Sequence, residues 1–168
     1  MVSAARAGDA VQALSAMDAH CVLCAHRQGR YGVGGWSRAA EAELWLDGGH
    51  NPHAAKALAA FLAERQARAP RPLALICGML ANKDAGGFFA ALKDSHATIF
   101  TVGFDGAAAD PAALAAVARG HGLAATPAGS VDEALRLALR LGAGRVAICG
   151  SLYLAGEVLG ASEETWPV

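Results

Sequence analysis

Residues 46–52 read LDGGHNP: an apolar run ends in an acid, two glycines, a histidine, an asparagine and a proline. Two adjacent glycines admit either a positive φ or a close backbone approach, so the chain can turn tightly after Asp47. Asn51 followed by Pro52 is a helix-start signal. The asparagine side chain caps the first free N–H groups, and a proline at the first helical position has no N–H to leave unsatisfied. The stretch therefore reads as strand, tight turn and helix, with polar groups placed on the turn.

The same unit recurs along the chain. Apolar runs of four to six residues, without sustained alternation, stand at Glu43–Leu46, Leu73–Cys77, Thr98–Val102, weakly at Leu123–Thr126, and at Arg145–Cys149. Such runs suit strands buried on both faces. Helical spacing fills the intervals Pro52–Arg68, Ala85–Lys93, Pro111–His121, Val131–Leu141 and Leu152–Gly160. Asp110-Pro111 repeats the Asn51-Pro52 signal, Ser130 with Glu133 has capping-box spacing, and Asp84 and Ser151 are further caps. Alternating strand and helix predicts an α/β, Rossmann-like fold: a mostly parallel sheet of five or six strands with helices on both faces. On such sheets ligands bind beyond the carboxyl ends of the strands. Three segments meet that edge with polar residues: DGGHNP, GMLANKD and CGSLYLAGE.

Size and composition agree. The chain has 168 residues, 54% of them apolar and 17% charged, enough for a sizeable core and too apolar for a disordered chain. The formal net charge of −1 gives no sign of a nucleic-acid surface. The longest strongly apolar run, around Leu73–Ala81, is shorter than the roughly 20 residues a membrane helix needs, so no membrane partner is expected. Arg6 and Asp9 interrupt the N-terminus before any signal-peptide core. Cys77 and Cys149 lie inside apolar runs as buried thiols, which is not the pattern of a secreted disulfide framework and points to the cytoplasm. Residues 1–40 read as an irregular leader with one weak helical stretch, Ala4–Ala19, and residues 41–168 as the domain.

Each polar residue at the edge has a functional and a plain reading. Asp47 can accept hydrogen bonds from a ribose hydroxyl or an amine, or it can cap its own turn. Gly48 and Gly49 can let a ligand approach or simply form the turn. His50 stands by the positive end of a helix dipole and can contact a phosphate, or it is a polar loop residue. Lys83 can neutralise phosphate charge and Asp84 line the same cleft, or the pair is a solvated lysine and a helix cap. The Ser151 hydroxyl and the N–H groups after it can bind a carboxylate or phosphate, or serve as a cap.

Other signals fail their context. GVGGWS lacks the third glycine of a dinucleotide fingerprint and follows no strand, and Gly142–Gly144 precedes a strand. A nicotinamide-dependent oxidoreductase is disfavoured on that ground. His20, Cys21, Cys24 and His26 form a CxxC with flanking histidines but have no second ligand pair at finger-like distance, so no metal site is expected. These 168 residues contain no GxxxxGK[ST], which excludes nucleotide binding chiefly through a P-loop.

Together, LWLDGGHNPHAA, ICGMLANKD and VAICGSLYLAGEVL, in that order and spacing over about residues 43–160, resemble the C-terminal domain of folylpolyglutamate synthase/dihydrofolate synthase, in the Mur ligase superfamily. The resemblance implies an ATP-dependent carboxylate–amine ligase. ATP phosphorylates the carboxylate of dihydropteroate or of a folate's glutamyl tail, ADP leaves, and the amine of L-glutamate attacks the acyl phosphate. It implies that Asp47 contacts ATP near the ribose and that His50 contacts the phosphate end or the reacting group. Ser151 would help place glutamate, while Gly48, Gly49, Asn51, Lys83 and Asp84 line the nucleotide cleft. In that family the P-loop and magnesium ligands belong to a larger N-terminal ATPase domain. Residues 1–40 do not resemble that domain, and Trp36 and Arg38 stand where the family carries a WPGR-like segment. The expectation is a half-site, inactive alone and completed by an ATPase domain on another chain. The alternative is a non-catalytic α/β binding or scaffold domain, a degenerate remnant.

Overall fold

A computed structural model describes residues 22–24 and 42–160 of the chain. Its sheet has six strands: β1 (Val22–Cys24), β2 (Glu43–Asp47), β3 (Leu73–Cys77), β4 (Thr98–Thr101), β5 (Ala124–Pro127) and β6 (Arg145–Cys149). Their order in space is β1-β2-β6-β3-β4-β5. Strands β2 to β6 are mutually parallel where they pair, and β1 runs antiparallel to β2 at one edge. The helices are α1 (Pro52–Arg68), α2 (Ala85–Leu92), α3 (Pro111–Gly120), α4 (Val131–Arg140) and α5 (Leu152–Gly160).

The buried runs become strands because both of their faces are covered. All five residues of β3 and all five of β6 are buried. Leu73, Leu75, Cys77, Ala147 and Cys149 pack with residues of α1, α2 and α3. Ala74, Ile76, Val146 and Ile148 point the other way, into a core with α4 and α5. Edge strand β5 is one residue later than the apolar run suggests. Leu123 belongs to the core but precedes the pairing, and Pro127 is tolerated because β5 lies at the edge of the sheet formed by the described strands. Helix α2 stops at Leu92 and tightens into a 3₁₀ turn, Lys93–Ser95, before His96 takes φ 54°.

The helix starts read from sequence are the ones formed. Asn51 Oδ1 accepts from Ala54 N–H at 2.9 Å, Asp84 Oδ1 from Gly87 at 2.8 Å, Asp110 Oδ2 from Ala113 at 2.9 Å and Ser130 Oγ from Glu133 at 3.1 Å. The Glu133 carboxylate reaches back to the N–H of Gly129 at 2.8 Å, one residue before the cap.

At the amino ends of the strands a charge is buried. Arg145, 1% exposed, opens the central strand β6. Its Nε donates to Glu43 at 2.8 Å, one Nη donates to Gln66 and the other to the Ala69 carbonyl at 3.3 Å. A buried guanidinium is tolerable only when its donors are engaged in this way. Among the described residues no buried side-chain nitrogen or oxygen lacks a partner, and no helix is long and apolar enough to cross a membrane. The Ala4–Ala19 stretch, Trp36 and Arg38 lie outside the described residues, as does the His20–His26 cluster except for the backbone of β1.

Candidate functional site

Beyond their last residues the strands are stitched into one rim. Gly150 N–H donates to Gly49 O at 3.1 Å, Gly78 to Cys149 at 3.1 Å, Val102 to Cys77 at 3.0 Å and Ala128 to Thr101 at 2.8 Å. The turns after β2, β6, β3, β4 and β5 are thereby held side by side. All three polar segments named from sequence lie on this rim.

Asp47 ends β2 and is only 3% exposed. Its Oδ1 accepts from Gly49 N–H at 2.8 Å, the turn-capping bond that aspartate commonly makes. The two glycines serve close approach rather than positive φ. A Cβ on Gly48 would lie 2.3 Å from the Leu152 side chain, and one on Gly49 would lie 2.7 Å from Ala54 Cβ. His50 is half-buried, with Nδ1 3.3 Å from the Gly48 carbonyl. Because a carbonyl only accepts, Nδ1 is the protonated nitrogen in that contact, and Nε2 remains for another partner. Asn51 is exposed and caps α1.

Ser151 follows β6 and is 2% exposed. Its Oγ accepts from Tyr153 N–H at 3.1 Å, so it caps the start of α5 and keeps its own hydroxyl proton to donate. Gly150 joins the two turns. It takes φ 100°, and a Cβ there would lie 2.7 Å from Gly78 O and 2.9 Å from Cys77 Sγ. The sequence reading did not single out Gly150, although a glycine between a buried strand and a helix cap is the available signal. Beneath it, Cys77 and Cys149 face each other in register on β3 and β6, both buried and free. The hydrogen bond with Cys77 pushes the Cys149 thiol well above its usual range, and burial and the nearby Asp47 charge push the same way.

Lys83 and Asp84 occupy the turn after β3. Lys83 is half-buried, its N–H donating to Leu80 O at 3.1 Å, while Asp84 is exposed and caps α2. A Cβ on Gly87 would lie 2.6 Å from Pro52 Cγ, so the first turns of α1 and α2 touch. The DGGHNP turn, the start of α2 and the start of α5 thus share one edge. None of α1, α2 or α5 carries an acidic residue in its first turn. Their positive ends favour an anion, by roughly 0.3–1 kcal/mol each at exposed sites. Among the described residues no three His, Cys, Asp or Glu side chains are placed to hold a metal ion.

This geometry defines an α/β domain of Rossmann type, with polar groups at the carboxyl ends of parallel strands. Residues 36–152 match the Mur ligase, glutamate ligase domain, and the chain belongs to that family. Among solved structures it is similar to Mycobacterium tuberculosis folylpolyglutamate synthase complexed with ADP, with 28% identity and a TM-score of 0.59, covering 69% of this chain and 29% of that one. It is also similar to Yersinia pestis bifunctional folylpolyglutamate synthase/dihydrofolate synthase with Mn, AMPPNP and L-glutamate bound (30%, TM-score 0.57, covering 72% and 29%). Escherichia coli FolC in complex with DHPP and ADP is a third (25%, TM-score 0.59, covering 70% and 28%). The chain spans 28–29% of the length of these proteins. A comparison with curated proteins finds no match.

Proposed function

We propose that this chain is the glutamate-ligase half of an ATP-dependent folate ligase, which adds L-glutamate to dihydropteroate or to a folylpolyglutamate through an acyl phosphate. The observation that carries the reading is the Gly150–Gly49 backbone bond, which seats the Asp47 turn against the Ser151 turn at two helix N-termini. Asp47 contacts the nucleotide near its ribose, and His50 the phosphate end or the reacting carboxylate. Ser151 orients the incoming glutamate, with Gly48, Gly49, Asn51, Lys83 and Asp84 along the cleft. The similar structures hold ADP in one case and manganese, AMPPNP and L-glutamate in another, which supports the same ligand classes here. The protein works in the cytoplasm.

Phosphoryl transfer depends on metal ions and cations positioned around the phosphates. These 168 residues have no GxxxxGK[ST] and, among the described ones, no metal cluster, so in this reading a P-loop domain outside them brings both magnesium and the phosphate cradle. Titrating ADP into the 168-residue chain, followed by imidazole NMR, is expected to move His50 and leave His96, at the far end of α2, unmoved. Turnover of ATP, L-glutamate and dihydropteroate is expected only when a P-loop-bearing half is added. Turnover by this chain alone refutes the half-site.

One observation favours the second reading, a scaffold domain without ligand. Asn51, Asp84 and Ser151 each already cap a helix, which accounts for a polar residue at all three positions. In that case ADP leaves every histidine resonance in place.

A further inference from the structure

Residues 103–110, GFDGAAAD, follow β4 and run across the rim between two of the polar segments. One end of this loop is fastened to α5. The Glu157 carboxylate accepts from Asp105 N–H at 2.7 Å. The Phe104 ring lies parallel to Tyr153, with centroids 6.4 Å apart and planes 2° apart. The other end is fastened to the turn after β3. Ala81 N–H donates to Ala107 O at 2.9 Å, Ala109 N–H donates to Met79 O at 2.7 Å, and Leu80 pairs with Ala108 as an isolated antiparallel bridge. Leu80 O in turn accepts from Lys83 N–H, closing the turn that presents the lysine. The loop is a brace with two bonded ends and an exposed middle at Asp105–Ala107.

We infer that Glu157 is a positioning residue for Lys83: through Asp105 and the 79–81/107–109 ribbon, it sets the Lys83 turn relative to the helix that Ser151 caps. The backbone bond from Gly78 to Cys149 already joins the bases of the two turns, and the brace adds a second link farther out. Lys83 and Ser151 follow different strands, and a lysine on a four-carbon stem has no fixed place unless its turn is fixed. The pairs at the two ends of the loop link α5 to that turn through one short segment. What Lys83 would then be held against, an anionic ligand at the rim, rests on the function proposed above; the mechanical link does not.

The test compares Glu157→Ala with Glu157→Gln in the 168-residue chain by amide NMR and hydrogen exchange. An Ala side chain removes the acceptor, whereas Gln keeps an oxygen able to take the Asp105 N–H. Expected is a shift of the Asp105, Ala81, Lys83 and Ala109 amides in Glu157→Ala. Exchange at Ala81 and Ala109 should be faster by about tenfold, the scale of one lost hydrogen bond to a charged acceptor. Most of this should be restored in Glu157→Gln, with the β6 amides unmoved in both. Tyr153→Ala, at an exposed position, should move the same four amides by removing the ring stack. If Glu157→Ala shifts Asp105 alone, or if Gln and Ala behave alike, the brace is refuted. Adding ADP separates the two ideas. No change at Lys83 in the parent chain sinks the ligand reading and leaves the brace standing. A change there that is several-fold weaker in Glu157→Ala supports both.

Discussion

The guanidinium of Arg145 donates to the carboxylate of Glu43 at 2.8 Å across paired ends of β6 and β2, although Arg145 is 1% exposed. The bond lowers the Glu43 pKa below its usual 4.5 or so, chiefly through the hydrogen bond and further through the Arg145 charge, against an opposing effect of burial.

Glu43→Ala is expected to cost about 1–2 kcal/mol, a charge-assisted hydrogen bond, because Gln66 and Ala69 still hold Arg145 and the carboxylate is about one-third exposed. The pH dependence has a fixed sign. A depressed carboxylate stabilises the fold fully above its unfolded pKa, and that stability is lost as pH falls through the folded value. Urea denaturation should therefore show parent and variant converging as pH drops from about 6 toward 3. A gap that stays constant over that range means Glu43 is not the titrating partner.

Gly150 and Gly106 separate backbone strain from steric clash. Both have positive φ, 100° and 105°, but a Cβ on Gly106 meets nothing within 4 Å. Gly106→Ala is expected to cost about 1–2 kcal/mol from strain alone. Gly150→Ala should cost clearly more, because the added carbon meets Gly78 O and Cys77 Sγ. Equal denaturation midpoints for the two variants would show that the rim yields.

Asn51→Ala and Asp84→Ala each remove a helix cap, worth about 1 kcal/mol. Because the first turns of α1 and α2 touch at Pro52 and Gly87, the double variant should depart from additivity by roughly 0.5 kcal/mol or more. Strict additivity in chemical denaturation means the two helix starts are independent.

Cys77 and Cys149 should react with a thiol reagent only as fast as the protein opens, since both are buried and the Cys149 thiol is held neutral. In a Cys21→Ser/Cys24→Ser background, labelling at pH 8 should be slow and become immediate in denaturant. The raised pKa also carries a sign. Stability from the neutral thiol is complete below the unfolded value and is lost as pH rises above about 9, and Cys149→Ala should remove that alkaline decline. Rapid native labelling contradicts the buried pair.

Much of this was legible in the chain, for physical reasons. The apolar runs at Leu73–Cys77 and Arg145–Cys149 are strands because both faces are buried, and four of the capping residues form the bonds their spacing suggests. Other features depend on partners far along the sequence. Nothing in RVAIC indicates that its arginine meets Glu43, 102 residues earlier, or that the strand falls between β2 and β3. In sequence Glu157 only lies one helical turn from Tyr153, and nothing there points to Asp105, 52 residues away, which donates to it. At the site, DGGHNP marked the turn. It did not reveal that Asp47 and Ser151 would be nearly covered, because burial there comes from the neighbouring turn.

The strand order has a consequence for how the molecule is made. Among the described strands β6 leaves the ribosome last, yet it separates β2 from β3 and is the parallel partner of both. Until about residue 149 has emerged, the strand that carries the DGGHNP turn has β1 beside it and Phe61 of α1 against Trp45, but lacks the parallel neighbour that joins it to β3. A nascent chain halted short of that point exposes two sticky strand edges to its surroundings, and the Arg145–Cys149 stretch acts as a keystone whose late arrival decides between assembly and aggregation.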